Sequence, residues 1–211
     1  MSTKQNKQEL QNLNEEIELK IKLDNYNLHH LQEWLQLNAT YIGKTEQEDY
    51  YFDNPGASWC KLHPQGYKYA LKYLRIRKTM QGNFLCYKDW ENADTTEGVG
   101  FYCCKDIEIP ICGPNQYIQL LEQLGYTTKT ILKKLRQSYV WQDFQIDIDT
   151  VDKLGTCIEF EVKNRKYKQP VKEYRRIMKL IRQIGFTNFK IQKHGFIILA
   201  WNQGFDFSIV A

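Results

Sequence analysis

From Glu16 to Leu23 the chain alternates without a break, with Glu16, Glu18, Lys20 and Lys22 at even positions and Ile17, Leu19, Ile21 and Leu23 at odd ones. Side chains along a β-strand point to opposite faces with a period of two, so this stretch predicts a strand with one apolar and one charged face. An antiparallel strand with one face in water gives the same alternation. A second copy of the pattern raises another reading. Ile158-Glu159-Phe160-Glu161-Val162-Lys163 repeats Glu-x-Glu-x-Lys near the other end of the chain. Between the two copies, Leu74-Arg75-Ile76-Arg77 and Lys134-Leu135-Arg136 place pairs of cations on one face with the same period. The order is acid, base, base, acid.

Most of the remaining pattern is also strand-like. Tyr41 to Asp53 predicts a long strand ended by the turn signal Asn54-Pro55-Gly56. A turn-rich segment with Trp59, His63, Pro64 and Gly66 runs to Tyr73 and is expected to be a loop or flap. Further strands are expected at Phe84–Lys88, Gly100–Ile111, with Asp106 and Glu108 on one face, and Phe144–Asp149, where Asp147 and Asp149 share a face. Asp24-Asn25-Tyr26-Asn27 reads as a turn. Helical spacing predicts amphipathic helices over Leu28–Leu37, Pro114–Leu124 and Pro170–Ile184, the last two closed by Gly125 and Gly185. A hairpin of Phe189–Gln192 and Phe196–Trp201 is expected near the C-terminus.

About eight strands, mostly joined by hairpins, predict an α+β fold: a closed eight-stranded antiparallel β-barrel with a polar lumen and helices packed outside. Residues 1–14 read as a polar N-terminal tail. Residues 15–211 read as a single domain in which 164–211 form a C-terminal helix and hairpin extension. If the charged faces point inward, carboxylates collect on one wall and cations on another. Buried charge of that density is costly without partners, so a ligand is implied. A hard divalent cation suits the carboxylates, and a polyphosphate suits the Arg and Lys groups while also ligating the metal.

Composition narrows the field. In 211 residues, 42% are hydrophobic and 26% charged, as in a globular protein with a real core. The net charge of +4 fits an anionic small ligand and is too small and dispersed for a nucleic-acid-binding surface. No apolar run reaches the length of a membrane span and no signal peptide is evident, so a cytoplasmic location is expected. Cys60, Cys86, Cys103, Cys104, Cys112 and Cys157 contain no Cys-x-x-Cys pair and are read as reduced thiols. His29 and His30, at a helix start, are read as surface or half-buried residues rather than metal ligands.

With strand order and charges in place, the chain resembles the CYTH superfamily, the triphosphate tunnel metalloenzymes. Glu16, Glu18 and Lys20 meet its Glu-x-Glu-x-Lys signature. Gln47-Glu48-Asp49-Tyr50-Tyr51-Phe52 is similar to the Gln-x-Asp-x-Tyr-Phe segment of the cyclase-like branch, and Ala70-Leu71 to Arg77 to its Ala-Leu-Arg-x-Arg strand, though stretched. Lys134-x-Arg136 and the segment from Asp149 through Gly155 to Glu161 resemble later motifs. Two features depart from the family: Cys104-Lys105-Asp106-Ile107-Glu108 replaces an Arg-x-Glu strand, and no Ser-Tyr segment stands near the C-terminus.

The resemblance implies a triphosphate held in a tunnel and Mg²⁺ or Mn²⁺ held by carboxylates. It assigns Glu16, Glu18, Glu159 and Glu161 to the metal, with Asp149 a further choice. Since Mg²⁺ usually takes only one or two protein carboxylates, not all of these can touch one ion. Arg75, Arg77, Lys88, Lys134 and Arg136 are assigned to phosphate; for Lys88 a surface role stands open. Lys20 is assigned to phosphate in preference to a proton-accepting role, and with Glu16 and Glu18 it forms the expected catalytic group. Two chemistries fit: phosphoanhydride hydrolysis of a nucleoside, organic or inorganic triphosphate, and cyclisation of ATP to cyclic AMP and pyrophosphate. A non-catalytic nucleotide or polyphosphate binding module is the third reading. The expected partner is a small-molecule triphosphate, without nucleic acid or membrane, and a homodimer would be unsurprising.

Overall fold

In the computed structural model the described residues are 14–89, 101–163, 170–186 and 189–210, with the side chains of 14–16, 101–105, 170 and 208–210 outside that set. The elements are β1 (Asn14–Lys22), α1 (Asn25–Asn38), β2 (Thr40–Asp53), β3 (Lys61–Leu62), β4 (Lys68–Tyr69), β5 (Lys72–Thr79), β6 (Asn83–Asp89) and β7 (Phe101–Ile111). There follow α2 (Pro114–Gln123), β8 (Thr127–Trp141), β9 (Phe144–Val151), β10 (Gly155–Val162), α3 (Pro170–Ile184), β11 (Lys190–Gln192), α4 (Phe196–Trp201) and β12 (Ser208–Val210). Ten strands form one antiparallel sheet in the order β10-β9-β8-β2-β5-β6-β7-β1-β11-β12, and β1 also pairs with β10. The fold is therefore α+β around a large antiparallel sheet. The described residues contain twelve strands where about eight are expected: β11 and β12 extend the sheet, and β3–β4 form a separate hairpin in the expected flap.

The alternation of β1 is realised on both of its faces. Ile17, Leu19 and Ile21 are fully buried in the largest apolar cluster, together with Ile146, Ile148, Ile158 and Phe160 from β9 and β10. Two helices cover this face. From α3 come Ile177, Leu180, Ile181 and Ile184; from α1 come Leu31 and Leu35. The Asp24 side chain accepts the Asn27 N–H at 2.8 Å, so what reads locally as a turn is the N-cap of α1. His30 Nε2 lies 2.7 Å from the Ile184 carbonyl oxygen, tying α1 to the end of α3, where Gly185 adopts φ 105°. His29 is exposed and lies 3.3 Å from Glu33. A smaller cluster of Phe52, Ile76 and Ile111, with Ile118 and Leu121 of α2 against it, covers the other apolar wall.

The C-terminal region departs from expectation. Phe196–Trp201 is a helix, not a hairpin strand, and β11 pairs instead with β12. A six-residue run that is apolar throughout carries no period that separates strand from helix. All four residues from Phe196 to Leu199 are buried, packed with Tyr51, Tyr73, Leu132, Val151 and Cys157. Asn202 fastens this segment to β4: its side chain accepts the Lys68 N–H and donates to the Lys68 carbonyl, both at 2.7 Å.

Alongside, an aromatic cluster joins the β3–β4 hairpin to the chain end. The His63 and Tyr67 rings stack at 4.3 Å, and the His194 and Phe207 rings meet edge-on at 4.6 Å. Burial, with Lys193 and His63 nearby, lowers the His194 pKa to about 4. Between its unfolded value near 6.5 and this folded value the unfolded chain binds more protons, so the contribution of His194 to stability is complete above pH ~6.5 and falls as the pH falls toward 4. His194→Phe is expected to flatten the melting temperature between pH 6.5 and 4; an unchanged slope in a pH series of thermal melts would sink this account.

Candidate active site

The charged faces of the strands meet on the buried inner side of the sheet. Lys20 on β1 stands opposite Glu159 on β10, Arg136 on β8 opposite Asp149 on β9, and Asp49 on β2 opposite Arg77 on β5. Two carboxylates organise the cations. Asp49 accepts Arg77 Nε at 2.8 Å on Oδ1 and Arg77 Nη2 at 2.9 Å on Oδ2, and Oδ2 also accepts Arg75 Nη1 at 3.3 Å. Asp149 accepts Arg136 Nε at 2.7 Å on Oδ1, with Arg136 Nη2 at 2.6 Å and Lys134 Nζ at 2.7 Å on Oδ2. In each case one carboxylate clamps two basic side chains that stand two residues apart on the adjacent strand.

Arg136 also reaches Asp147 at 2.7 Å and the Glu159 carboxylate, while Lys20 Nζ binds Glu159 at 2.8 Å and lies 3.8 Å from Glu18. Lys88 is buried on the same face with Asp106 at 3.6 Å, so it is no surface lysine.

Burial alone would push these carboxyls up. Arg75 and Arg77 hold Asp49 well below the usual carboxylate range, and Lys20, Arg136 and Lys134 do the same for Glu159. Burial, reinforced by Arg136, brings Lys134 down to about 8 against the opposing pull of Asp149 and Glu159. The site is thus a dense set of ionised groups whose neutrality is local. Among the described residues, the buried atoms Gln47 Oε1, Arg75 Nε and Asp147 Oδ1 on this face have no hydrogen-bond partner. Unsatisfied buried polar atoms are costly, and an ordered water, an ion or a polar ligand is their usual partner.

The expected metal ligands divide in the structure. Glu159 and Asp149 turn toward Lys20, Lys134 and Arg136. Glu18 and Glu161 are direct cross-strand partners, with Lys20 and Lys163 at their flanks. Like charges directly opposite each other destabilise a strand pair unless a cation lies between them. Glu16 faces Cys104 across β1 and β7, but its side chain lies outside the described residues. Among the described residues no three His, Cys, Asp or Glu side chains converge on one metal position. Two glutamates are nonetheless within the usual complement for Mg²⁺, which keeps most of its shell for water and phosphate. The donor set therefore fits a hard divalent cation. Cys60, Cys86, Cys112 and Cys157 are free thiols, while Cys103 and Cys104 have side chains outside the described set.

Asp49 has no partner legible in the sequence, where its spacing from Gln47 and Tyr51 sets the three on one strand face. Asp147 was placed beside Asp149 without a partner. Phe196 had no local signal: its ring lies 4.5 Å from Lys20 Nζ and 5.2 Å from Lys134 Nζ, a contact between distant parts of the chain.

Residues 14–194 match the CYTH domain. The chain belongs to the CYTH family. A Methanocaldococcus jannaschii protein named "putative adenylate cyclase" is 23% identical over 184 residues, covering 87% of this chain and 97% of that protein. Among solved structures, the PH1819 protein of Pyrococcus horikoshii OT3 superposes with a TM-score of 0.68 at 23% identity, covering 88% of this chain and 97% of that one. The Hippeastrum protein HpAC1, a "putative adenylyl cyclase" described as having a dominant triphosphatase activity, superposes at 0.61 with 15% identity, covering 87% and 94%. At these identities the structural likeness speaks for the fold. No helix among the described residues is long and apolar enough to cross a membrane.

Removing the Asp49 carboxylate leaves Arg75 and Arg77 buried beside each other without their counter-charge. Asp49→Ala is expected to cost about 3–5 kcal/mol of stability at neutral pH. Because the folded carboxyl titrates below its unfolded value of about 3.9, its contribution is complete above that value and is lost as the pH falls through the folded pKa. The wild-type advantage in urea unfolding should therefore shrink in strong acid. An advantage that is absent at pH 7, or that grows below pH ~3, would contradict the clamp.

Proposed function

We propose that this protein is a divalent-metal-dependent enzyme that hydrolyses a phosphoanhydride bond of a triphosphate bound inside its sheet. The pairing of β1 with β10 supports reading β10-β9-β8-β2-β5-β6-β7-β1 as a closed ring of eight strands around a polar tunnel. The observation that carries the proposal is the pair of clamps, Asp49 with Arg75 and Arg77, and Asp149 with Lys134 and Arg136. They hold four basic groups in a buried, pre-oriented set. Guanidinium forks are suited to two phosphate oxygens at once, and the ammonium groups of Lys20, Lys88 and Lys134 act as point charges. Metal dependence in the CYTH triphosphate tunnel metalloenzymes supports the same reading.

In this proposal Glu18 and Glu161, with Glu16, hold Mg²⁺ or Mn²⁺. Glu159 and Asp149 serve the site through the cations they orient, and Lys20 binds phosphate. The metal supplies charge stabilisation for the triphosphate and activation of water. The residues of the chain do the rest. Arg75, Arg77, Lys134 and Arg136 neutralise charge on the transferring group where bulk water is excluded, and their carboxylate partners keep them from reorganising during the reaction. Cyclisation of ATP is the second reading, favoured by the cyclase name of the M. jannaschii relative and by the Gln47–Phe52 segment. It uses the same cations to hold departing pyrophosphate.

Phosphorus NMR with Mg²⁺ or Mn²⁺ separates the readings. Orthophosphate from inorganic triphosphate or ATP is the expected product; cyclic AMP with pyrophosphate would replace the hydrolase by the cyclase. Binding without any turnover would leave the non-catalytic module. Glu18→Gln and Glu161→Gln are each expected to lower turnover at least about 100-fold, since metal charge stabilisation is worth several kcal/mol. Unchanged rates in both variants would overturn the metal assignment.

A further inference from the structure

We propose that Phe196 is the floor of a blind-ended tunnel and a specificity-determining residue, so that the site takes a triphosphate end-on and tolerates an organic group at one end only. The inference rests on the triphosphate reading above and adds to it the class of substrate admitted.

The floor is visible from residue parity. Tyr51, Tyr73, Leu132, Val151 and Cys157 each lie two residues from an inner charged group, namely Asp49, Arg75, Lys134, Asp149 and Glu159. They therefore share the inner face and form its apolar end. It is this end that Phe196, Ile197, Ile198 and Leu199 of α4 fill. The Phe196 ring is the part that meets the charges, 4.5 Å from Lys20 Nζ and 5.2 Å from Lys134 Nζ. Those are cation–π distances, and the two ammonium groups look onto an aromatic wall instead of solvent.

The wall is fastened as well as packed. Trp201 Nε1 donates to Thr130 Oγ1 at 2.6 Å, and the Asn202 amide donates to the Ile198 and Lys68 carbonyls, both at 2.7 Å. With α4 filling this end, a ligand enters from the opposite end of the inner face.

A terminal phosphoryl group entering from that side comes to rest against Lys20 and Lys134, with its unesterified oxygens toward the two ammonium groups. An ester at the same phosphorus would drive an organic substituent into the Phe196 ring and the side chains behind it. The site then discriminates by exclusion rather than by added attraction. Inorganic triphosphate and ATP each have a free terminal phosphate. Diadenosine triphosphate has none.

Calorimetric titration of the full chain in Mg²⁺ with these three compounds tests the proposal. Inorganic triphosphate and ATP are expected to bind, and diadenosine triphosphate at least about 100-fold more weakly than ATP. Phe196→Ala should narrow that gap about tenfold or more, whereas Phe196→Leu, which keeps an apolar plug of similar reach, should preserve it. Diadenosine triphosphate binding wild type within a few-fold of ATP would overturn the floor while leaving the triphosphate reading intact. A folded Phe196→Ala protein with the gap unchanged would also overturn the role of Phe196. Should none of the three compounds bind, the triphosphate reading falls and this inference with it. The wild-type comparison decides the question even if Phe196→Ala does not fold.

Discussion

Burial of ionised groups on the inner face of the sheet is the constraint on which the rest of this structure depends. Taking a charge out of water costs several kcal/mol unless it is paired and hydrogen-bonded. Asp49 and Asp149 meet that condition twice over, each accepting from two basic side chains on a neighbouring strand. Glu159 links the second clamp to β1 through Lys20 and Arg136. The network fixes side-chain orientation, but among the described residues it does not satisfy every group, since Gln47, Arg75 and Asp147 keep atoms without a hydrogen-bond partner. A polyanion with a divalent cation would complete it, and that is the physical content of the functional proposal.

Charge inside forces apolar residues outside. On β1, β9 and β10 the inner-face charges alternate with residues such as Ile17, Leu19, Ile158 and Phe160 that point away, so the larger apolar cluster lies between the sheet and its covering helices. The segments after β10 supply much of that cover. α3 contributes Ile177, Leu180, Ile181 and Ile184 to the outer core, and α4 brings Phe196 to the inner one. The C-terminal region thus touches both faces of the sheet, linking the stability of the fold to the charged site.

Legibility in the sequence follows from how local each signal is. The alternation of β1 and β10, the cation pairs of β5 and β8, and the spacing of α1, α2 and α3 are written in neighbouring residues and appear in the structure close to where periodicity puts them. The partners of those charges depend on register. That Asp49 holds Arg77, that Asp149 holds Lys134 and Arg136 rather than standing apart from them, and that Glu18 faces Glu161 all follow from strand pairing between distant segments. α4 is not legible as a helix because its apolar run has no polar position to set a period, and its form depends on packing against distant residues such as Tyr51, Leu132 and Val151. Of the site, residue types and faces were readable; pairings and the Phe196 wall were not.

The central claim is that the buried cations and glutamates together hold a triphosphate with a divalent cation. Thermal unfolding with inorganic triphosphate, with and without Mg²⁺, tests this most directly, because a ligand that binds only the folded chain stabilises it whether or not it turns over. At a concentration about 100 times the dissociation constant the gain is about 2.7 kcal/mol, which raises the melting temperature by roughly 5–10 °C for a chain of this size. The account predicts that rise with triphosphate and Mg²⁺ together, and a much smaller one with sulfate at matched ionic strength. No rise, or an equal rise with sulfate, would contradict it.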